Sequence, residues 1–362
     1  MWHPQKQFPD QISNASLKEK LEYFNKGFVL PHYILDQVYS ELKNGFINSY
    51  GHSMCFLIGP TGVGKSSLAR KVLKDILKGL KDVVIKELPA IYVEVPVHSH
   101  DSFSFKEFYI RVLGALYEME GIYIRDKHEK LKNGLGSTYS NSRRSEAQLR
   151  RDLEIRLSDY GVKNLLVDEI QHIFKYSGHN SYKSLDILKD FSNQTGCKIT
   201  GFGTYELTPF FEENAQLARR SKKIHFPSYL IDSSDHQDQF ETSFSGLLAH
   251  IPMQIHPDIF EGTEYLHYGS VGCIGVLKEW CERALYQALS HNDELLTLQH
   301  FHKTALDSAG IQKMEEENKL GLEFFKQRSE PEKLVLKKKR VSKATRATTK
   351  PGKRKPNRDP VG

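Results

Sequence analysis

The chain has 362 residues, 39% of them hydrophobic and 27% charged, a length that suits two domains and a composition that is soluble and globular. It has no run of 18 apolar residues, no apolar leader after Met1-Trp2-His3-Pro4, and no C-x-x-C or metal-ligand spacing among Cys55, Cys197, Cys273 and Cys281. Membrane, secreted and disulfide-stapled classes are thereby disfavoured and a cytoplasmic protein with reduced thiols is expected, while a net charge of +6 permits a nucleic-acid partner without requiring one.

Residues 1–50 read as an N-terminal linker with helices, the clearest at 34–46. Over 51–230, short apolar runs alternate with amphipathic helices; the runs are Met54–Ile58, 91–95, 165–167, 199–202 and 224–226. Buried runs separated by helices are the pattern of an α/β domain with a central parallel five-stranded sheet covered on both faces. Over 231–325 no comparable strand appears. Phe240, Phe244, Leu247, Leu248 and Ile251 recur at helical spacing, as do Ile274, Leu277, Cys281 and Leu285, which predicts a small all-helical domain. Residues 326–362 read as a disordered basic tail. Its last 30 residues hold twelve Lys or Arg against the single acid Asp359, so they carry +11 and residues 1–332 carry −5. A stretch so poor in apolar residues cannot offset its ordering entropy.

Gly59-Pro60-Thr61-Gly62-Val63-Gly64-Lys65-Ser66 fits G-x-x-x-x-G-K-[ST], followed by Ser67. It follows the first strand and opens a helix whose stripe is Leu68, Val72, Leu73 and Ile76, the context a phosphate-binding loop needs. Glycines let the backbone wrap a phosphate, and the helix N-terminus adds partial positive charge. In that pattern Lys65 reaches the β- and γ-phosphates and Ser66 ligates Mg²⁺. About a hundred residues on, Leu165-Leu166-Val167-Asp168-Glu169 ends a strand in two acids. Asp168 is the candidate to hold a water on Mg²⁺, and Glu169 to orient or deprotonate the attacking water. Thr204 follows the next strand, at the carboxyl end where ligands bind in an open α/β sheet, and either contacts the γ-phosphate or lytic water or caps a turn. Arg219-Arg220 precedes the last strand. One of the two can serve a neighbouring subunit's site in trans, as in ring-forming ATPases; otherwise the pair is a solvated surface run or touches DNA phosphates.

In this order the motifs resemble an AAA+ ATPase, a P-loop NTPase fold with a helical lid. Within that class Leu166-Val167-Asp168-Glu169-Ile170-Gln171-His172, Gly203-Thr204-Tyr205-Glu206 and the lid stretch Gly269-Ser270-Val271-Gly272-Cys273-Ile274-Gly275 are similar to the TnsC/TniB branch, ATP-dependent regulators of Tn-seven-type transposons. The resemblance spans about residues 25–310. It implies ATP and Mg²⁺ as cofactors and assembly of copies into rings or helical filaments on double-stranded DNA. It also implies recruitment by a target-selection protein, sometimes RNA-guided, contact with transposase subunits, and hydrolysis that controls disassembly. One departure stands out. Many AAA+ lids carry a sensor arginine where this chain reads Cys273-Ile274-Gly275, so lid closure would rely on Lys278 or a neighbour's arginine, and slow hydrolysis is expected. A helicase loader or replication initiator, and a non-catalytic nucleotide-gated adaptor, share the same core.

The resemblance also implies duplex contacts between the second strand and Asp168, where the candidates are a helix with Lys106 and Arg111 and a loop with Arg125, Lys127, Lys130, Lys132, Arg143 and Arg144. Lys and Arg among Gly, Ser and Asn suit phosphate contact without base reading, although an ordinary solvated loop has the same composition. The tail would contact DNA, dock the transposase, or stay solvated.

Overall fold

The computed structural model describes residues 7–26, 28–48, 51–78, 88–97, 103–123, 144–175, 181–213 and 221–329. Helices α1 (Asp10–Ser13), α2 (Leu17–Lys26) and α3 (Tyr33–Leu42) lead through a π-helical turn, Lys43–Ile47, into β1 (Met54–Ile58). Then come α4 (Lys65–Leu77), β2 (Ala90–Glu94), α5 (Phe105–Tyr123), α6 (Glu146–Asp159), β3 (Asn164–Asp168), α7 (Gln171–Lys175) and α8 (Ser181–Thr195). β4 (Lys198–Gly203), a 3-10 turn at Tyr205–Leu207, α9 (Thr208–Glu213) and β5 (Ser221–His225) complete the α/β part. The 231–325 stretch expected as a helical lid holds α10 (Ser234–Ala249), β6 (Gln254–Ile255), α11 (Asp258–Glu261), α12 (Thr263–Ser270), α13 (Ile274–Ser290), β7 (Leu295–Leu296), α14 (Leu298–Lys303) and most of α15 (Ser308–Ser329).

The five long strands form one sheet in the order β2-β3-β4-β1-β5, every neighbouring pair parallel. β1 and β3 are buried at every position, which explains why they read as unbroken apolar runs. β5 is an edge strand whose Lys222 and Lys223 are half-buried, so only its apolar end stood out in the sequence. Because all strands run the same way, the carboxyl ends of β1, β3 and β4 lie on one side. The order reverses direction between β1 and its neighbours, and such a switch point opens a crevice above the strands.

Leu57, Leu68, Leu166 and Ile224 share one buried cluster with Leu277, Trp280 and Leu285 of the lid helix α13. Burying a side chain of this size contributes roughly 1.5–3 kcal/mol. Residues 1–321 form one compact unit, and residues 322–362 a second, described only as far as Ser329. Two features differ from expectation. The lid contains one short parallel pair, β6 with β7, whose two-residue strands are too brief to leave a periodic signal. α15 also runs to Ser329, past the expected start of the tail at 326, since no helix breaker intervenes before Pro331. Residues 330–362 lie outside the described residues. All four cysteines are buried and form no disulfide. Among the described residues no helix is long and apolar enough to cross a membrane.

Candidate active site

From Ile58 the chain loops through residues 59–64 and enters α4 at Lys65. Gly62 and Gly64 take the left-handed φ values +75° and +111° that the loop's curl demands and that side chains resist. Gly64 is also the N-cap of α4 and has no side chain to satisfy the helix's first amides. Those amides, together with the positive end of the helix, leave a ready anion site. Lys65 is 6% exposed and folds back, its Nζ donating to the carbonyls of Gly59 (3.0 Å) and Pro60 (2.7 Å). Burial pushes its pKa down, opposed by the nearby acids Glu169, Glu317 and Asp168. A buried cation held by two carbonyls is poised for a strong anionic partner.

β3 ends at Asp168, 1% exposed. Its Oδ2 accepts from the Tyr92 hydroxyl of β2 at 2.8 Å and its Oδ1 from the Glu169 amide at 3.0 Å. Burial, then the Asp168 charge, raises the Tyr92 pKa, so Tyr92 stays a donor. Glu169 adopts φ +53°, a left-handed conformation that costs a non-glycine residue roughly 1–2 kcal/mol and that concentrates at functional sites. Gln171, to which the sequence alone assigned no role, holds the turn in place. Its Nε2 donates to Glu169 Oε2, and its Oε1 accepts from the Thr204 amide at 3.3 Å. Thr204 itself caps the 3-10 turn, its Oγ1 accepting from Glu206 N at 3.4 Å, and also lines the cleft.

These residues meet in one cleft of about 680 Å³, within the usual range of roughly 300–1,000 Å³ for ligand sites. It is lined by Thr61, Gly62, Gly64, Lys65, Ser66 and Ser67 from the loop and α4, by Glu169, Gln171 and Thr204 from the strand ends, and by Gly275, Glu279 and Glu317. Gly59 and Pro60 accept hydrogen bonds from Lys65, Val63 is buried in the core, and Asp168, outside the lining, accepts from the Glu169 amide. A second cavity of about 490 Å³, with Tyr39, Asn164 and Lys198 in its wall, carries no motif residue.

Carboxylates outnumber cations in the cleft. Glu169, Glu206, Glu279 and Glu317 face Lys65 and Lys175, and Lys175 is already paired with Glu206 at 3.0 Å. A polyphosphate entering such a site fits better with a divalent counter-cation. Among the described residues no group of three or more His, Cys, Asp or Glu could hold a metal ion by itself. Ser66 and Asp168 instead fit the way Mg²⁺ is usually held, by one or two protein oxygens with substrate phosphates and water.

Other expected residues are distributed as follows. Lys278 does not face the phosphate loop; its Nζ donates to the Asn25 and Phe28 carbonyls at 2.9 and 3.3 Å and sits over the Phe28 ring. It is therefore no stand-in for a sensor arginine. The reason is its position one turn along α13, on the face that packs against α2 rather than the loop. Lys106 and Arg111 are on α5, Arg111 paired with Glu107 at 3.4 Å, and Arg144 is paired with Asp152 at 3.1 Å. Arg125, Lys127, Lys130, Lys132, Arg143, Arg219 and Arg220 lie outside the described residues.

Residues 48–211 match the family model of the AAA domain. No curated protein matches the sequence. Among solved structures, the chain is similar to the Aeropyrum pernix ORC2 protein, at 14% identity over 78% of this chain and 70% of that one, with a TM-score of 0.48. It is similar to Drosophila ORC bound to DNA at 15% identity over 84% and 69%, TM-score 0.48, and to Cdc6p from Pyrobaculum aerophilum at 15% over 78% and 70%, TM-score 0.47. With the phosphate loop, the strand-end acids and the five-stranded parallel sheet, the match at 48–211 identifies that part of the chain as an AAA-type P-loop ATPase domain.

Proposed function

We propose that this chain is a Mg²⁺-dependent ATPase that assembles on duplex DNA in its ATP state and regulates transposition, linking a target-selection factor to the transposase. The observation that carries the ATPase reading is the meeting of Lys65, Ser66, Glu169 and Thr204 in one cleft, with Asp168 accepting from the Glu169 amide. In this reading Lys65 leaves the Gly59 and Pro60 carbonyls for the β- and γ-phosphates. Ser66 and Asp168 would hold Mg²⁺, whose chemistry would be to neutralise phosphate charge. Glu169, held by Gln171, takes a proton from the water that attacks the γ-phosphorus, and ADP and phosphate leave. Thr204 orients that water or the γ-phosphate, and Arg219 or Arg220 acts on a neighbour's site.

The transposition reading is supported by the likeness of residues 166–172, 203–206 and 269–275 to the TnsC/TniB branch. The duplex-DNA reading is supported by the basic residues around Lys106 and Arg144 and in the sequence between them. Electron microscopy with plasmid DNA tests the proposal directly. With a non-hydrolysable ATP analogue, oligomers encircling duplex are expected; with ADP they are not. Glu169→Gln should hold such assemblies on DNA in ATP itself, with phosphate release lowered by at least about 100-fold. Nucleotide-independent binding, or a monomer that binds ATP without DNA, would leave the adaptor reading in its place.

A further inference from the structure

The AAA match ends at residue 211, yet the phosphate end of the cleft is also lined by Glu317, from α15. Three points on α15 dock onto the α/β part. Glu317 Oε1 accepts from Thr61 Oγ1 at 3.4 Å, within the phosphate loop itself. Asn318 Nδ2 donates to Ser228 Oγ at 2.8 Å in a buried contact. Gly321, one turn beyond Glu317, lies so close to Tyr205 that a Cβ there would come within 2.3 Å of the ring.

Two features of this docking speak against a permanent brace. Glu317 is a half-buried carboxylate whose burial raises its pKa, opposed first by the charge of Lys65, the residue a nucleotide would claim. Asn318 Oδ1 is buried with no hydrogen-bond partner among the described residues, so the docked helix keeps an unsatisfied acceptor. The positive charge of Lys65 can be neutralised at this end by the field of the Glu317 carboxylate or by a terminal phosphate. With both present, two anions would share one cation beside Thr61.

We propose that Glu317 is a displaceable occupant of the phosphate end of the nucleotide site. A triphosphate expels it from Thr61, so that nucleotide loading releases the 308–321 stretch of α15. The inference rests on the nucleotide-site reading above and adds to it a self-supplied competitor for the phosphates and an output element that moves with them.

The test uses the full chain and a fluorescent non-hydrolysable ATP analogue. Glu317→Gln removes the competing charge at constant shape and should tighten the analogue by about tenfold, the effect of one like charge at short range in a partly buried site. ADP, lacking the γ-phosphate, should gain less. Asn318→Ala loosens the same helix without touching the loop and should also tighten the analogue, by a smaller factor. In the unsubstituted chain, hydrogen exchange over 308–321 should speed up when the analogue is added. If Glu317→Gln leaves affinity unchanged or weakens it, or if 308–321 becomes better protected on loading, Glu317 belongs to the loaded site and the displacement is wrong. If the unsubstituted chain binds no analogue at all and Lys65→Ala changes nothing, the nucleotide-site reading itself has failed and this inference with it.

Discussion

Gln171 ties together two strand ends that arrive from different parts of the chain. Its amide N–H reaches Glu169 after β3, and its carbonyl takes the Thr204 amide after β4. Glu169 sits in a left-handed turn, and the bond from Gln171, with His172 Nε2 3.9 Å away, decides where its carboxylate points. Gln171→Ala should therefore lower kcat for ATP hydrolysis by about 10–100-fold while nucleotide affinity stays within about twofold, because the loop and Lys65 are untouched. Gln171→Glu should be at least as damaging, since it puts a second carboxylate against Glu169 and gives the Thr204 amide a charged acceptor. Steady-state kinetics beside direct nucleotide titration separates the two effects, and a loss of affinity equal to the loss of rate would remove Gln171 from the positioning role. The motifs around Lys65 and Asp168 were legible in the sequence because each is contiguous and flanked by the right elements. Gln171 was not, although it lies only three residues past Asp168, because its role depends on β4 being the neighbour of β3. Tyr92 was hidden for the same reason: it reaches Asp168 only because β2 pairs with β3 in the register Glu94 to Asp168.

At the scale of elements, the lid helix α13 begins directly against the phosphate loop. The Val276 amide donates to the Gly62 carbonyl at 3.2 Å, and a Cβ on Gly275 would come within 2.3 Å of that same oxygen. Backbone meets backbone here, so no side chain can swing aside to make room. Gly275→Ala must push α13 away from the loop, and the loop's curl at Gly62 and Gly64 is what shapes the anion site. We expect nucleotide affinity to fall by about tenfold or more and the melting temperature to drop by several degrees, as overpacking typically costs about 1–3 kcal/mol. Unchanged affinity, measured by titration in the folded variant, would show that the loop does not need this close approach. The absence of a sensor arginine in this stretch was legible from the residues alone, and the consequence was not. The sequence offered Lys278 or a neighbour's arginine as a substitute, and α13 turns Lys278 toward the carbonyls of Asn25 and Phe28. Helical spacing says which residues share a face; it does not say which neighbour the face meets. The long strands fared better, since burial on both sides leaves an unbroken apolar run, and β5 was read only at its apolar end because an edge strand tolerates lysine.

At the scale of the whole molecule, the net charge of +6 divides into +11 on residues 333–362 and −5 on the rest, and the nucleotide cleft shares the acidic excess of the body. A body of net negative charge does not approach duplex DNA by general attraction, so its binding has to come from local basic groups brought into line. Copies joined through nucleotide would repeat Lys106, Arg111 and their neighbours along the duplex. The tail acts differently: its positive charge is carried by the sequence itself and needs no nucleotide. Deleting residues 334–362 should leave basal ATP hydrolysis within about twofold, because no residue of the cleft is touched. Duplex affinity at low salt should fall, and the slope of log affinity against log salt should become shallower by about 0.9 for each phosphate that the shortened chain no longer neutralises. What remains should depend on the ATP state, and combining the deletion with Lys106→Ala, Arg111→Ala and Arg144→Ala should abolish it. Should the truncated chain bind with the same affinity and the same salt slope in ATP and ADP alike, the tail neutralises no phosphates and assembly does not align the body's basic groups on DNA.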